Sequence, residues 1–199
     1  NLIDLELNSP QQKFMVDKVQ ITNTVAFNAL MNIQYTPTIT ALESAVVLQR
    51  LHFSQSIAAQ RALIFFSSVC NAVITQSAAV DNCGSAIDVD STRSSLHSLV
   101  VSESVLQGLH LGRHTNGVIN GSIKNTVLLS NVFRANNPDT CQLSDQGPSV
   151  HFSLLSYELL EGIAPKVFSY GNVFENNTGF YQGAAFRCLN CQLEDEASW

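Results

Sequence analysis

A short pattern recurs along this chain: a large apolar residue followed, three positions later, by Asn or another small polar residue. The clearest pair is Asn131-Val-Phe-Arg-Ala-Asn-Asn and Asn172-Val-Phe-Glu-Asn-Asn-Thr, which aligns Phe133 with Phe174 and Asn136 with Asn177. With any large apolar anchor and any small polar partner, the pattern extends to Ile21/Thr24, Phe53/Ser56, Ile74/Ser77 and Val101/Ser104. Successive anchors are 32, 21, 27, 32 and 41 residues apart. Such spacings belong to repeat architectures, where each unit buries its apolar face only against its neighbours. Their unevenness implies one type of rung interrupted by loops of different lengths.

Local chemistry says what the rung is. Before each anchor, apolar and polar residues alternate, the period of a strand with one buried face. After it come Thr, Ser or Asn, short polar side chains that bond nearby backbone and accept tight corners. Strands stacked about 4.8 Å apart set each residue over its counterpart, so Asn forms a hydrogen-bonded ladder and apolar residues stack inside. Helical signal is confined to two windows, Ala58–Phe66 and Ser153–Ile163, and the second reads better as part of the insertion in the longest interval. The expectation is an all-β chain: a right-handed parallel β-helix of about six irregular rungs with inserted loops. Its ladder would be Ile21, Phe53, Ile74, Val101, Phe133 and Phe174, with Asn136 and Asn177 beside it. One domain would cover residues 1–199, itself complete or a segment of a longer chain.

Phe-x-x-Asn followed by a Gly-Gly-Ala-Ile-like corner resembles the repeat of right-handed parallel β-helix surface proteins similar to the chlamydial polymorphic membrane proteins. The best match is Phe174 to Phe186, where Gln182 stands at the first Gly of the corner and Ala185 at its branched aliphatic. Half-motifs occur elsewhere, at Phe133/Asn136 without the corner and at Gly84-Ser85-Ala86-Ile87 without the Phe. The resemblance implies a β-helix and the company of surface adhesins and structural exoproteins; fold by itself does not carry function.

Composition narrows the class. Only 13% of residues are charged, while Ser, Thr, Asn and Gln total 63 of 199. Ten scattered Lys and Arg against 16 Asp and Glu offer no basic face for nucleic acid. The longest purely apolar run, Ala62 to Phe66, is far too short to span a bilayer. Five cysteines (Cys70, Cys83, Cys141, Cys188 and Cys191) are disulfide candidates, and the sequons at Asn120 and Asn176 are glycosylation candidates. Together with low Lys content these point to a secreted, cell-surface or extracellular protein.

Signals for chemistry are sparse. Asp88 and Asp90 share one face of a strand, but the Gly-His-Gly and Arg-x-Lys of β-helical polysaccharide hydrolases are missing. His110 and His114, on a strand, lie about 13 Å apart, too far to share a metal. Cys188 and Cys191 are half a zinc motif without a second pair. The expectation is therefore no catalytic residue, no metal and no cofactor. The leading functional reading is a structural protein: a subunit or segment of a filament or surface coat, glycosylated and self-associating end to end. The alternative is an adhesin or carbohydrate-binding module, hinted at by Tyr157, Tyr170 and Tyr181; a polysaccharide lyase or hydrolase comes last.

Overall fold

Alternating residues bury one face of many of the strands, and polar corners turn the chain into the next strand without a helix among the described residues. The computed structural model describes residues 1–8, 13–35, 45–90, 96–111, 117–137, 153–157, 164–178, 186–188 and 192–196, and these hold strands and corners but no helix. A first circuit contains β1 (Ile3–Leu7), β2 (Lys13–Asp17) and β3 (Gln20–Thr22). The second has β4 (Val25–Ala26), β5 (Met31–Tyr35), β6 (Ala45–Gln49) and β7 (His52–Ser54). The third has β8 (Ile57–Ser67), β9 (Asn71–Thr75) and β10 (Ala78–Val80), and the fourth β11 (Cys83–Val89), β12 (Leu96–Ser102) and β13 (Val105–Gln107). The fifth has β14 (Gly117–Gly121), β15 (Ile123–Leu129) and β16 (Val132–Arg134). The sixth has β17 (Ser153–Tyr157), β18 (Lys166–Tyr170) and β19 (Val173–Glu175), followed by β20 (Phe186–Cys188) and β21 (Gln192–Glu196).

Each circuit visits three sheets in the same order. The first sheet runs β1-β5-β8-β11-β14-β17-β20, with β4 also on β8; the second runs β2-β6-β9-β12-β15-β18-β21; the third runs β3-β7-β10-β13-β16-β19. Pairing is parallel throughout, as at β1–β5, β12–β15 and β16–β19. Three parallel sheets visited in rotation are consistent with a parallel β-helix. Their inner faces share one apolar core, to which Ile33, Leu48 and Phe53 contribute from the first, second and third sheet.

Like stacks on like in the third sheet: Ile21 pairs with Phe53, Phe53 with Ala79, Ala79 with Leu106, Leu106 with Phe133, and Phe133 with Phe174. The Phe133 and Phe174 rings are stacked, with centroids 5.0 Å apart. Ile74 and Val101 lie elsewhere, in the second sheet, paired with each other between Leu48 and Leu128. The cause is local. Each third-sheet strand is three residues long, and the corners at its two ends have the same form: a left-handed residue, then a side chain turned into the core. Ile74-Thr75-Gln76-Ser77 enters the third sheet and Phe53-Ser54-Gln55-Ser56 leaves it, with Gln76 at φ 52 and Gln55 at φ 48. A pattern of four residues therefore fits both corners, and Ala79, not Ile74, is the counterpart of Phe53.

The window Ala58–Phe66 is not helical. It lies within β8, which pairs with β4, β5 and β11. Residues Ala62 to Ser67 are all buried, and a strand buried on both faces reads as a continuous apolar run that a helix would share. Of the window Ser153–Ile163, the first five residues form β17, and residues 158–163 lie outside the described chain.

Both corner columns are tied by buried polar side chains. At the entry corner Leu51 N donates to Ser77 Oγ (3.1 Å), Ser77 N to Ser104 Oγ (3.2 Å), Ser104 N to Asn131 Oδ1 (3.0 Å) and Asn131 N to Asn172 Oδ1 (2.9 Å). The amide of Asn131 also donates to Val101 O (2.8 Å). At the exit corner Asn136 N donates to Asn177 Oδ1 (3.0 Å), Asn136 Nδ2 to Leu106 O (2.9 Å) and Asn177 Nδ2 to Phe133 O (2.8 Å). Lys18, Arg50, Gln76, Glu103 and Ser130 at one corner, and Asn23, Gln55, Asp81, Ala135 and Asn176 at the other, hold φ between 48 and 58. A non-glycine residue there costs about 1–2 kcal/mol. The buried bonds of the residues that follow several of them, Ser77, Asn131 and Asn136 among these, offset that strain.

Candidate functional site

Residues that alternate with the core on the second sheet face outward, and in this sheet the central column of them is apolar. Met15, Val47, Val73, Val100, Val127 and Phe168 stand in register across six strands, and Glu194 completes the column. Met15 is 60% exposed, and the four Val and Phe168 are half-buried. Polar columns border them, with Asn71 and Ser98 on one side and Thr75 and Ser102 on the other. A face turned to water ordinarily presents polar residues, so an ordered apolar stripe marks a surface suited to contact.

The column changes character on β18. Lys166, Phe168 and Tyr170 are two residues apart and so share the outer face, with Tyr170 47% exposed. A cavity of about 210 Å³ lies over this part of the sheet, lined by Asn125, Val127, Lys166, Phe168, Gln192 and Glu194. Registers explain the gathering: β15 supplies Asn125 opposite Lys166, and β21 supplies Gln192 opposite Lys166 and Glu194 opposite Phe168. Asn125 is held by its Nδ2, which donates to His97 O at 3.0 Å. The result is an aromatic floor with a rim that carries an ammonium, a carboxylate and two amides.

The outer face of the first sheet is different. Asn32, Phe65 and Asn120 are 8%, 6% and 8% exposed although they alternate with core residues. Arg61 covers the Phe65 ring at 4.1 Å, and the amides of Asn32 and Asn120 donate to Asp4 (2.7 Å) and Asp88 (3.0 Å). Of the two sequon residues, Asn120 therefore lies largely within the sheet, with its Nδ2 bonded to Asp88. Asn176, by contrast, is exposed at an exit corner.

Asp88 lies on β11 and Asp90 follows it, and among the described residues no three His, Cys, Asp or Glu side chains converge as a metal site would require. His110 bridges the backbones of Cys83 and Asn137, while His114 falls outside the described residues. Cys70 is a free thiol and Cys83 is disulfide-bonded. Cys141, Cys191 and Tyr181 lie outside the described residues, as do the side chains of Cys188 and Tyr157. No helix among the described residues is long and apolar enough to cross a membrane.

Sequence reasoning passed over the second-sheet stripe, yet a signal for it exists. Val47-Leu48, Val73-Ile74, Val100-Val101 and Val127-Leu128 are consecutive apolar pairs where strict alternation would give a polar residue first. No family model matches this chain, and neither a curated protein nor a solved structure matches it.

Proposed function

We propose that this chain is a right-handed parallel β-helix of about six rungs, displayed outside the cell, which binds carbohydrate through the outer face of its second sheet. Support for the architecture comes from the fixed three-sheet rotation and the parallel pairing, and support for its hand from the general right-handedness of parallel crossovers. The observation that carries the function is the groove over Phe168: an aromatic floor with donors and acceptors around it, on a sheet of regular register. Sugars bind such surfaces because the ring's C–H face packs on the aromatic while its hydroxyls bond the rim. The exposed sequon at Asn176 and the disulfide at Cys83 favour an oxidising, extracellular setting. The test is co-sedimentation with a panel of insoluble polysaccharides, cellulose, chitin, β-1,3-glucan and xylan among them. Retention on at least one is expected; passage through all of them, with the protein folded, overturns the reading.

A second reading is favoured by a separate observation. Leu2, Met15, Val25 and Phe27 are exposed by 50%, 60%, 62% and 72%, and all lie in the first circuit or at the start of the second. There β1, β2 and β3 each pair on one side only, and such edges accept another strand. In that reading the chain is a structural subunit that associates with further copies end to end, glycosylated at Asn176. Electron microscopy separates the two: filaments support it, and dispersed particles at high concentration contradict it.

A further inference from the structure

We infer that the groove over Phe168 holds one uncharged pyranose ring of a neutral glycan, with the next sugar reaching Tyr170; this rests on the carbohydrate-binding reading above. Size comes first. The groove measures about 210 Å³, below the roughly 300–1,000 Å³ of sites that enclose drug-sized ligands, which suits one ring and not an extended apolar segment.

Charge then selects among ligands of that size. Lys166 and Glu194 line the same groove, so its rim carries one positive and one negative group. A uronic acid or sulfated sugar would face the Glu194 carboxylate, and a free amino sugar would face the Lys166 ammonium. A neutral sugar meets neither penalty. Its hydroxyls donate to the carboxylate and accept from the ammonium, and the Asn125 and Gln192 amides can do either. A purely apolar ligand would strip water from four polar groups and return no hydrogen bond.

Position sets the floor. Phe168 is the aromatic member of a register column otherwise built of Met15 and four Val, before Glu194, so ring stacking is offered at this end of the stripe. Two residues on, Tyr170 lies about 6.6 Å further along β18, on the same outer face and 47% exposed. That spacing places the second aromatic under a neighbouring sugar.

The test is titration of the full chain with neutral disaccharides (cellobiose, xylobiose, laminaribiose and chitobiose) and with digalacturonic acid, followed by amide chemical shifts. Wild type is expected to bind at least one neutral disaccharide and to bind digalacturonic acid at least about tenfold more weakly. Phe168→Ala is expected to weaken neutral binding about tenfold, equal to about 1.4 kcal/mol, whereas Phe168→Trp retains it. Tyr170→Ala should weaken the disaccharide while leaving the matching monosaccharide unchanged. Equal binding by wild type and by folded Phe168→Ala overturns this site and leaves the carbohydrate reading standing. Tighter binding of digalacturonic acid overturns the neutral assignment. Absence of binding to every sugar overturns both.

Discussion

Two columns run along this molecule, and their difference separates what holds it together from what it offers to a partner. In the entry-corner column, Asn131 and Asn172 are fully buried and their amides are occupied: Asn131 accepts from Ser104 N and donates to Val101 O, and Asn172 donates to Leu128 O at 2.9 Å. In the outer column of the second sheet, Val73, Val100, Val127 and Phe168 are half-buried, and the groups beside them, Lys166, Gln192 and Glu194, are exposed. Asn in the first column is consumed by the backbone of neighbouring strands. In the second, the apolar surface and the polar rim remain open to a ligand. Repetition alone therefore does not mark a binding site; unspent bonding capacity on a repeated surface does.

The comparison breaks first at Asn131. Asn131→Leu would leave Ser104 N and Val101 O short of a partner in a buried site, while the Asn172 amide oxygen would keep only the backbone N–H of residue 131. At about 1–3 kcal/mol for each unsatisfied group, partly relieved by relaxation, the expected loss is about 4 kcal/mol by urea denaturation. Asn177→Ala removes the same kind of bonds from a half-buried position near the end of the exit column, so the expected loss is about 1–2 kcal/mol. Phe168→Ala, on the outer column, should cost less than about 1 kcal/mol in the same assay while weakening sugar binding. Val100→Thr, in the middle of the stripe, should stay within about 0.5 kcal/mol of wild type.

The smallest effect is expected from the surface pair Arg50–Asp17. Arg50 Nε donates to Asp17 Oδ1 at 2.6 Å, and the guanidinium holds the Asp17 carboxyl below its ordinary range, first through this hydrogen bond and further through its charge. A carboxyl depressed in the folded state stabilises above its unfolded pKa of about 3.9 and loses that contribution as pH falls through the folded value. Both side chains are solvent-exposed, so the pair is screened. Asp17→Asn should therefore leave the thermal midpoint at neutral pH nearly unchanged and flatten only its acid limb below about pH 4.

How much was legible in the sequence follows the same division. Phe133, Phe174, Asn136 and Asn177 could be paired because both corners retain Asn and both anchors retain Phe, so one alignment dominates. Ile74 and Val101 fit the same sequence pattern because the two corners flanking a three-residue strand share a backbone form, and a local pattern cannot tell one from the other. The strand β8 looked partly helical because both its faces are buried from Ala62 to Ser67, which erases the period of two. Asn120 matched a sequon, but burial is decided by what packs on a strand, which three residues cannot encode. The groove over Phe168 escaped notice because Asn125, Lys166, Phe168 and Glu194 come from three circuits, and only the register of β15, β18 and β21 brings them together.

Mapping amide chemical shifts on addition of a neutral disaccharide tests the central claim most directly, since the outer face of the second sheet and the corner columns are read in one spectrum. The account predicts shifts concentrated on β15, β18 and β21 around Asn125, Phe168 and Gln192, with the amides of Ser104, Asn131 and Asn136 unmoved. Shifts centred on the corner columns or the third sheet, or no shifts at saturating sugar, would contradict it.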